Sequence, residues 1–409
     1  MDVLRIATAG SVDDGKSTLI GRLLYETKSI PHDKLEAIEL ASRRRGLDFT
    51  DLSLLTDGLI AEREQGITID VAHIYFSTDT RRYIIADSPG HVEYTRNMIT
   101  GSSNAQVSII LVDAARDITE QTYRHLFIAH MLKIEQVVVA INKMDLVDYS
   151  HAAFAEKKAQ LLQYWNSLQT EKDVEFIPLC SLHGDNICVR SEKMPWYKGK
   201  SLLELLENST SNQVAAEPLR FQVQQSLRSQ NNVDRSFTGK VKSGIMKVGD
   251  SVTVHPSGVS AKVSRIFKFK EDFTKAKKSD AVAIQVDSDI DIRRGDVLAL
   301  SSDTTASIKN LSAQLCWMTD GVFNPAKTFF IQHGTAKAKA KIKSIEGVLT
   351  PEKNAFEPNA EVELNSIFNA QIALSAPLLI DLYGDNKANG AFILVDPQSG
   401  DTVAVGFRM

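Results

Sequence analysis

Cysteine is scarce in this sequence: Cys180, Cys188 and Cys316 are the only three among 409 residues. So few, so scattered, they exclude a disulfide-stapled scaffold, and the separation of Cys180 from Cys188 fits no common zinc-ligand spacing. Buried or free thiols in a reducing compartment are the expectation. An excess of one charge is missing too. Lys and Arg number 47 against 51 Asp and Glu, a formal net charge of −4, so no global basic field draws the chain to nucleic acid or to an anionic membrane. No apolar run approaches the length that crosses a bilayer, and Val3–Ala9 reads as a core strand with no charged-then-apolar leader ahead of it. No segment is of low complexity. These absences together lead to the expectation of a soluble, cytoplasmic protein.

Hydrophobic residues make up 43% of the chain and charged residues 24%, a globular profile at a length that calls for two or three domains. Over residues 1–208, short apolar runs alternate with longer amphipathic stretches. Strands are expected at Leu4–Ala9, Ala72–Ser77, Tyr83–Asp87, Val107–Asp113, Gln136–Ile141 and Glu175–Leu179. Val107–Val112 and Val137–Ile141 are almost continuously apolar, as central strands covered on both faces must be. Helical spacing marks Lys16–Leu24, Val92–Thr100, Glu120–Leu132, His151–Leu168 and Ser201–Glu207, while the charged Pro31–Leu55, with Arg43-Arg44-Arg45, reads as a solvated helical insertion. Such alternation specifies an α/β domain, a mostly parallel sheet with helices on both faces. Residues 209–217 are polar and aperiodic, a linker. Beyond Pro218 the texture becomes short alternating runs (Leu219–Val223, Gly239–Val241, Ser251–His255, Ala281–Val286) between turns. Lys247-Val248-Gly249-Asp250 and Arg293-Arg294-Gly295-Asp296 look like one repeated turn leading into a strand. This is the pattern of two all-β barrel domains, 218–303 and 304–409.

The chemistry is concentrated near the start. Gly10-Ser11-Val12-Asp13-Asp14-Gly15-Lys16-Ser17-Thr18 lies between a strand and a helix and matches the phosphate-binding loop. Glycines let the backbone turn so that N–H groups and a helix N-terminus point at phosphate oxygens. Lys16 reaches the β- and γ-phosphates, and Ser17 ligates Mg²⁺. Gly199-Lys200-Ser201 is a decoy, since Met194 stands where the first glycine is required. Asp87-Ser88-Pro89-Gly90 closes a strand, placing an acid to hold Mg²⁺ through water and a Gly90 N–H for the γ-phosphate; His91, next in line, can orient an attacking water. Asn142-Lys143-Met144-Asp145 follows another apolar strand. The Asp145 carboxylate can accept from the N1–H and N2–H₂ edge of guanine, which adenine lacks; Asn142 braces the loop and the Lys143 stem covers the ring. In Gly66-Ile67-Thr68-Ile69, Thr68 can ligate Mg²⁺ and meet the γ-phosphate only while the triphosphate is bound, which makes the preceding segment a switch. The phosphate loop is a specific signal and the other three strings are common alone; four in this order specify a guanine-nucleotide site with GTP and Mg²⁺ as ligands.

On these residues the chain resembles the translation-factor superfamily of GTPases. Asp87-Ser88-Pro89-Gly90-His91 with Asn97-Met98 looks like that superfamily's second switch. The resemblance implies that His91 is the catalytic, water-positioning residue, that Val12 and Ile67 form an apolar gate beside it, and that two β-barrels follow the GTP-binding domain. Within the superfamily it is similar to the GTP-hydrolysing large subunits of bacterial two-subunit sulfate adenylyltransferase. The strings that carry this are Asp13-Asp14 before Gly15-Lys16, Asp57-Gly58-Leu59, Ala61 to Ala72, Tyr94 to Met98, Gly184-Asp185-Asn186, Pro195-Trp196-Tyr197 and Gly390-Ala391-Phe392-Ile393. That likeness implies GTP hydrolysis coupled to adenylylsulfate formation on a small ATP-pyrophosphatase-type catalytic subunit, with no nucleic acid and no membrane as partner. The guanine loop, usually Ser-Ala-Leu, reads Cys180-Ser181-Leu182 here. Guanine contact through a backbone N–H of Ser181 or Leu182 is then expected to survive, with a weaker brace from residue 180. An elongation-factor-type GTPase delivering aminoacyl-tRNA is the alternative, and a regulatory GTPase whose barrels serve only as interaction surface is a third.

Overall fold

In a computed structural model of the chain the structure describes residues 2–55, 72–88, 95–209, 217–228, 235–320 and 323–409. They divide into two compact units, residues 1–212 with 350–355, and residues 213–349 with 356–409.

The first unit is built on six strands: β1 Val3–Ala9, β2 Ala72–Ser77, β3 Arg82–Asp87, β4 Val107–Asp113, β5 Gln136–Asn142 and β6 Val174–Pro178, in the spatial order β2-β3-β1-β4-β5-β6. All pairings are parallel except the edge pair of β2 with β3. Every residue of β4 is buried, and β5 is buried from Val137 onward, which is why these runs carry no polar alternation. The described helices are α1 Lys16–Glu26, α2 His32–Arg44, α3 Thr95–Ser102, α4 Glu120–Met131, α5 His151–Ser167 and α6 Leu202–Asn208. The solvated insertion materialises as α2, which buries only Ile38 and Ser42.

Ends differ from expectation where capping decides them. Ser201 is not helical but caps α6, its hydroxyl accepting from Glu204 N–H while the Glu204 carboxylate accepts from Ser201 N–H. Leu132 and Leu168 are C-caps of α4 and α5. Only the part of the Val92–Thr100 segment from Thr95 onward is described, and it is helical.

Strand order reverses at β1: β3 lies on one side and β4 on the other. In open parallel sheets the crevice beyond the carboxyl ends of the strands at such a reversal is where ligands bind. The phosphate-loop, Asp87, Asp113, Asn142 and Cys180 segments all leave the sheet at that edge.

The second unit holds two closed sheets. In one, Ser251–His255, Val297–Leu300, Arg220–Arg228, Arg235–Ser243, Ala281–Val286 and Val259–Lys268 pair in that order, the last returning to the first. In the other, Thr328–His333, Ala391–Val395, Thr402–Arg408, Ile308–Trp317, Ile367–Leu378 and Ala336–Thr350 close in the same way. The two are joined by a buried polar hub. Arg220, 0% exposed, donates from Nε to Asp381 at 2.9 Å, from Nη2 to Asp381 at 2.6 Å and from Nη1 to Asp303. Asn386 and Asn389 donate to the same Asp381 carboxylate at 2.8 and 3.0 Å. The repeated turn is real in geometry: Lys247 N–H donates to Asp250 Oδ2 at 2.7 Å and Arg293 N–H to Asp296 Oδ2 at 2.8 Å, with Gly249 and Gly295 at φ of 94° and 99°. A third copy, Lys277 N–H to Asp280 Oδ2 at 2.8 Å, has Ser279 at φ 77° where the others have glycine.

Candidate functional site

The chain leaves β1 through residues 10–15 and enters α1 at Lys16. Gly15 caps the helix at φ +91°, and a Cβ there would lie 2.4 Å from Asn142 Nδ2, so both backbone and space require glycine. α1 has no side-chain cap and no acid in its first turn. Its leading N–H groups and positive dipole end are therefore available to an anion. Lys16 is buried, with Nζ 3.7 Å from Asp87 Oδ1. The parallel register sets Thr8 beside Asp87, and Thr8 Oγ1 donates to the same oxygen at 3.0 Å. Ser17 and Thr18 follow half-buried, and the Ser88 hydroxyl is buried without a partner among the described residues. Ser11 is tied to the loop ahead of α4 by a 2.8 Å hydroxyl contact with Thr119, while Val12 and Asp13 are exposed. Asp14 turns inward. Its Oδ2 accepts from Ser11 N–H at 2.7 Å, and burial pushes its carboxyl up to about 7.

Asn142, 1% exposed at the end of β5, joins the two loops a nucleotide would touch. Its Nδ2 donates to Asp14 O at 2.7 Å, and its Oδ1 accepts from Ser181 N–H and Ser181 Oγ, each at 3.0 Å. Lys143 takes a left-handed conformation at φ 59° and its ammonium pairs with Asp113 at 2.8 Å. Asp145 is half-buried, and the Cys180 thiol donates to its Oδ1 at 2.9 Å. Burial, then the neighbouring Asp145, push that thiol up to about 12, which keeps it a protonated donor. The brace from residue 180 is thus present, with sulfur in place of a hydroxyl. Ser181 and Leu182 are held from behind by Arg22, whose Nε donates to Ser181 O at 3.2 Å and whose Nη2 donates to Leu182 O.

The structure therefore brings together residues 10–18, Asp87, Ser88, Asn142, Lys143, Asp145, Ser181 and Leu182. Pro89, Gly90, His91 and the switch string Gly66, Ile67, Thr68, Ile69 lie outside the described residues. Sequence reasoning had not singled out Arg22, Asp113 or Thr8. Asp113 carried a usable signal, an acid ending an otherwise apolar run. Arg22 carried none, because a helix arginine reads as solvated. The assembled groups offer an anion cradle with a buried cation, a hydroxyl and a carboxylate as hard oxygen donors beside it, and a carboxylate some distance away braced to accept hydrogen bonds.

Residues 1–212 match the model of the elongation factor Tu GTP binding domain, 236–299 that of elongation factor Tu domain 2, and 310–407 that of the GTP-eEF1A C-terminal domain-like family. Sulfate adenylyltransferase subunit 1 of Yersinia enterocolitica is 42% identical over 408 residues, 99% of this chain and 85% of the relative. The bifunctional enzyme CysN/CysC of Mycobacterium tuberculosis is 42% identical over 413 residues, covering 99% of this chain and 67% of its own. Among solved structures, the GTPase-like domain of Ski7 from S. cerevisiae aligns over 100% of this chain and 97% of its own, with a TM-score of 0.54 and 18% identity, a likeness of fold alone.

Proposed function

Since the chain belongs to the family of sulfate adenylyltransferase subunit 1, with an elongation factor Tu-type GTP-binding domain at its front, we propose that it is the GTP-hydrolysing subunit of a sulfate adenylyltransferase. It couples GTP hydrolysis to formation of adenylylsulfate and pyrophosphate from ATP and sulfate on a partner subunit. The sulfate assignment is carried by relatives of that name matched over 99% of this chain, and its GTP-binding part by the buried amide of Asn142, which ties the phosphate loop at Asp14 to the guanine loop at Ser181.

In this reading the N–H groups of residues 10–18 surround the phosphates and Lys16 neutralises charge that grows on the β- and γ-oxygens during transfer. Asp145 accepts from the guanine edge, Lys143 covers the ring and a backbone N–H of Ser181 or Leu182 meets the base oxygen. His91 orients the attacking water, Gly90 offers its N–H to the γ-phosphate beside Ser88 and Pro89, and Gly66, Ile67, Thr68 and Ile69 form the segment that responds to the γ-phosphate. Ser17 and Thr68 hydroxyls, with Asp87 through water, are the hard oxygen set that suits Mg²⁺, which when bound would neutralise phosphate charge. The partner is a small ATP-pyrophosphatase-type catalytic subunit forming at least a heterodimer with this chain, in the cytoplasm. The functional division is 1–208, 209–217, 218–303 and 304–409.

Delivery of aminoacyl-tRNA is the second reading, supported only by features shared across the superfamily; relatives matched over 99% of this chain carry the sulfate name instead. The test is GTP hydrolysis measured with and without a small subunit, ATP and sulfate. Stimulation by all three together is expected, with His91→Ala keeping GTP affinity while losing turnover. Stimulation by ribosomes in place of the small subunit would refute the assignment.

A further inference from the structure

The turn after β6 places unusual chemistry beside the group assigned to guanine. Cys180 Sγ, an Asp145 carboxylate oxygen and a ring nitrogen of His183 all lie within 4.8 Å of one another. They come from two loops that the fold already fixes. Asp145 sits in the one-turn 3-10 helix Met144–Val147. The turn that carries Cys180 and His183 is closed by Gly184 N–H donating to Cys180 O at 2.9 Å and Cys180 N–H to Asp185 O at 3.2 Å. Cys180 is buried, Asp145 half-buried and His183 exposed, so the three donors line a path from the interior to solvent.

One sulfur, one imidazole and one carboxylate make a donor set suited to Zn²⁺, which takes three such ligands and leaves a fourth position for water. The thiol proton that Cys180 now donates to Asp145 is released to solvent as the ion binds the thiolate, so binding tightens as pH rises. In a tetrahedral zinc site a sulfur and an oxygen ligand stand about 3.6 Å apart. The observed 2.9 Å between Cys180 Sγ and Asp145 Oδ1 therefore opens by under an ångström, within reach of one rotamer adjustment, while exposed His183 closes from the solvent side. The proposed Mg²⁺ ligands are oxygens only, so ligand softness keeps the two cations apart. A serine at position 180 would keep the hydrogen bond and forfeit the soft donor.

We propose that Asp145, Cys180 and His183 form a binding site for a thiophilic divalent cation of the Zn²⁺ class, and that the occupied site excludes guanine nucleotide because the ion takes the Asp145 carboxylate. The exclusion rests on the reading that Asp145 receives guanine; the metal site itself does not.

Co²⁺ titrated into the nucleotide-free, full-length protein tests both parts, since a cysteine-bound cobalt ion absorbs in the near ultraviolet. One equivalent is expected to saturate that band. Cys180→Ser should abolish it, and His183→Ala should weaken Co²⁺ binding at least about tenfold while leaving GTP affinity in metal-chelated buffer unchanged. Saturating GTP with excess Mg²⁺ should suppress the band. A folded protein that prefers GTP over ATP yet shows no band, or equal Co²⁺ affinity across all three proteins, overturns the inference alone. Loss of the GTP preference in metal-free protein would instead overturn the role of Asp145 beneath it.

Discussion

Asn142→Ala isolates the link between the two ends of the nucleotide site. The wild-type amide makes three hydrogen bonds, one to Asp14 O at 2.7 Å and two from Ser181 at 3.0 Å. Each contributes about 1 kcal/mol net, and a buried backbone group stranded without a partner costs about 1–3 kcal/mol. Ser181 and Asp14 are both buried, so alanine strands Ser181 N–H and Asp14 O together, for a combined loss of about 3 kcal/mol. That loss divides between folding and binding. Where the loops are ordered without nucleotide it appears in unfolding; where nucleotide orders them it appears as weaker binding, up to about 100-fold at 1.4 kcal/mol per tenfold. Titration with a fluorescent guanine nucleotide and urea unfolding of the same preparation measure the two shares. Affinity changed under threefold together with unfolding changed by less than about 0.5 kcal/mol, well below the loss worked above, would refute the assignment of the bridge.

Three further outcomes are expected. Folded Asp14 holds its proton to about 7 whereas an unfolded aspartate releases it near 3.9, so folding takes up a proton between those values and stability falls as pH rises through them. Asp14→Asn, which keeps an acceptor for Ser11 N–H, should therefore match the wild-type melting temperature at pH 4 and exceed it at pH 8. Arg220→Met strands the Asp381 and Asp303 carboxylates that the guanidinium now pairs, and urea unfolding should register a loss of about 3–5 kcal/mol. Ser279→Gly relieves a side chain at φ 77° and should stabilise the protein by about 0.5 kcal/mol after the added freedom of the unfolded glycine is counted; Gly249→Ala and Gly295→Ala should cost about 1 kcal/mol each.

Legibility in the sequence followed burial. β4 and β5 could be read to within a residue because strands covered on both faces admit almost nothing but apolar side chains. The barrel strand expected at Leu219–Val223 runs from Arg220 to Arg228, because its last five residues are exposed and show no alternation to read. The third turn escaped notice since Ser279 replaces the glycine that marked the other two. Arg220 looks like an outward strand position, and only the fold reveals that carboxylates from remote segments, Asp303 and Asp381, make its burial tolerable. At the nucleotide site, residues held by local loop geometry were visible as strings. Arg22, which acts on the guanine loop across 159 and 160 positions of sequence, was not.

The Arg220 hub bears on how work could pass through the second unit. A guanidinium donates in one plane, with directions fixed by its bonding, so two carboxylates bound to it are held at a set angle as well as a set distance. Asn386, through its 2.9 Å bond to Ser243, and Thr335, through its 2.8 Å bond to Val223 O, brace the same seam. A displacement of either barrel against the other then has to break or bend these bonds, so the two are expected to move together. A partner surface that spans both barrels would feel a single rotation.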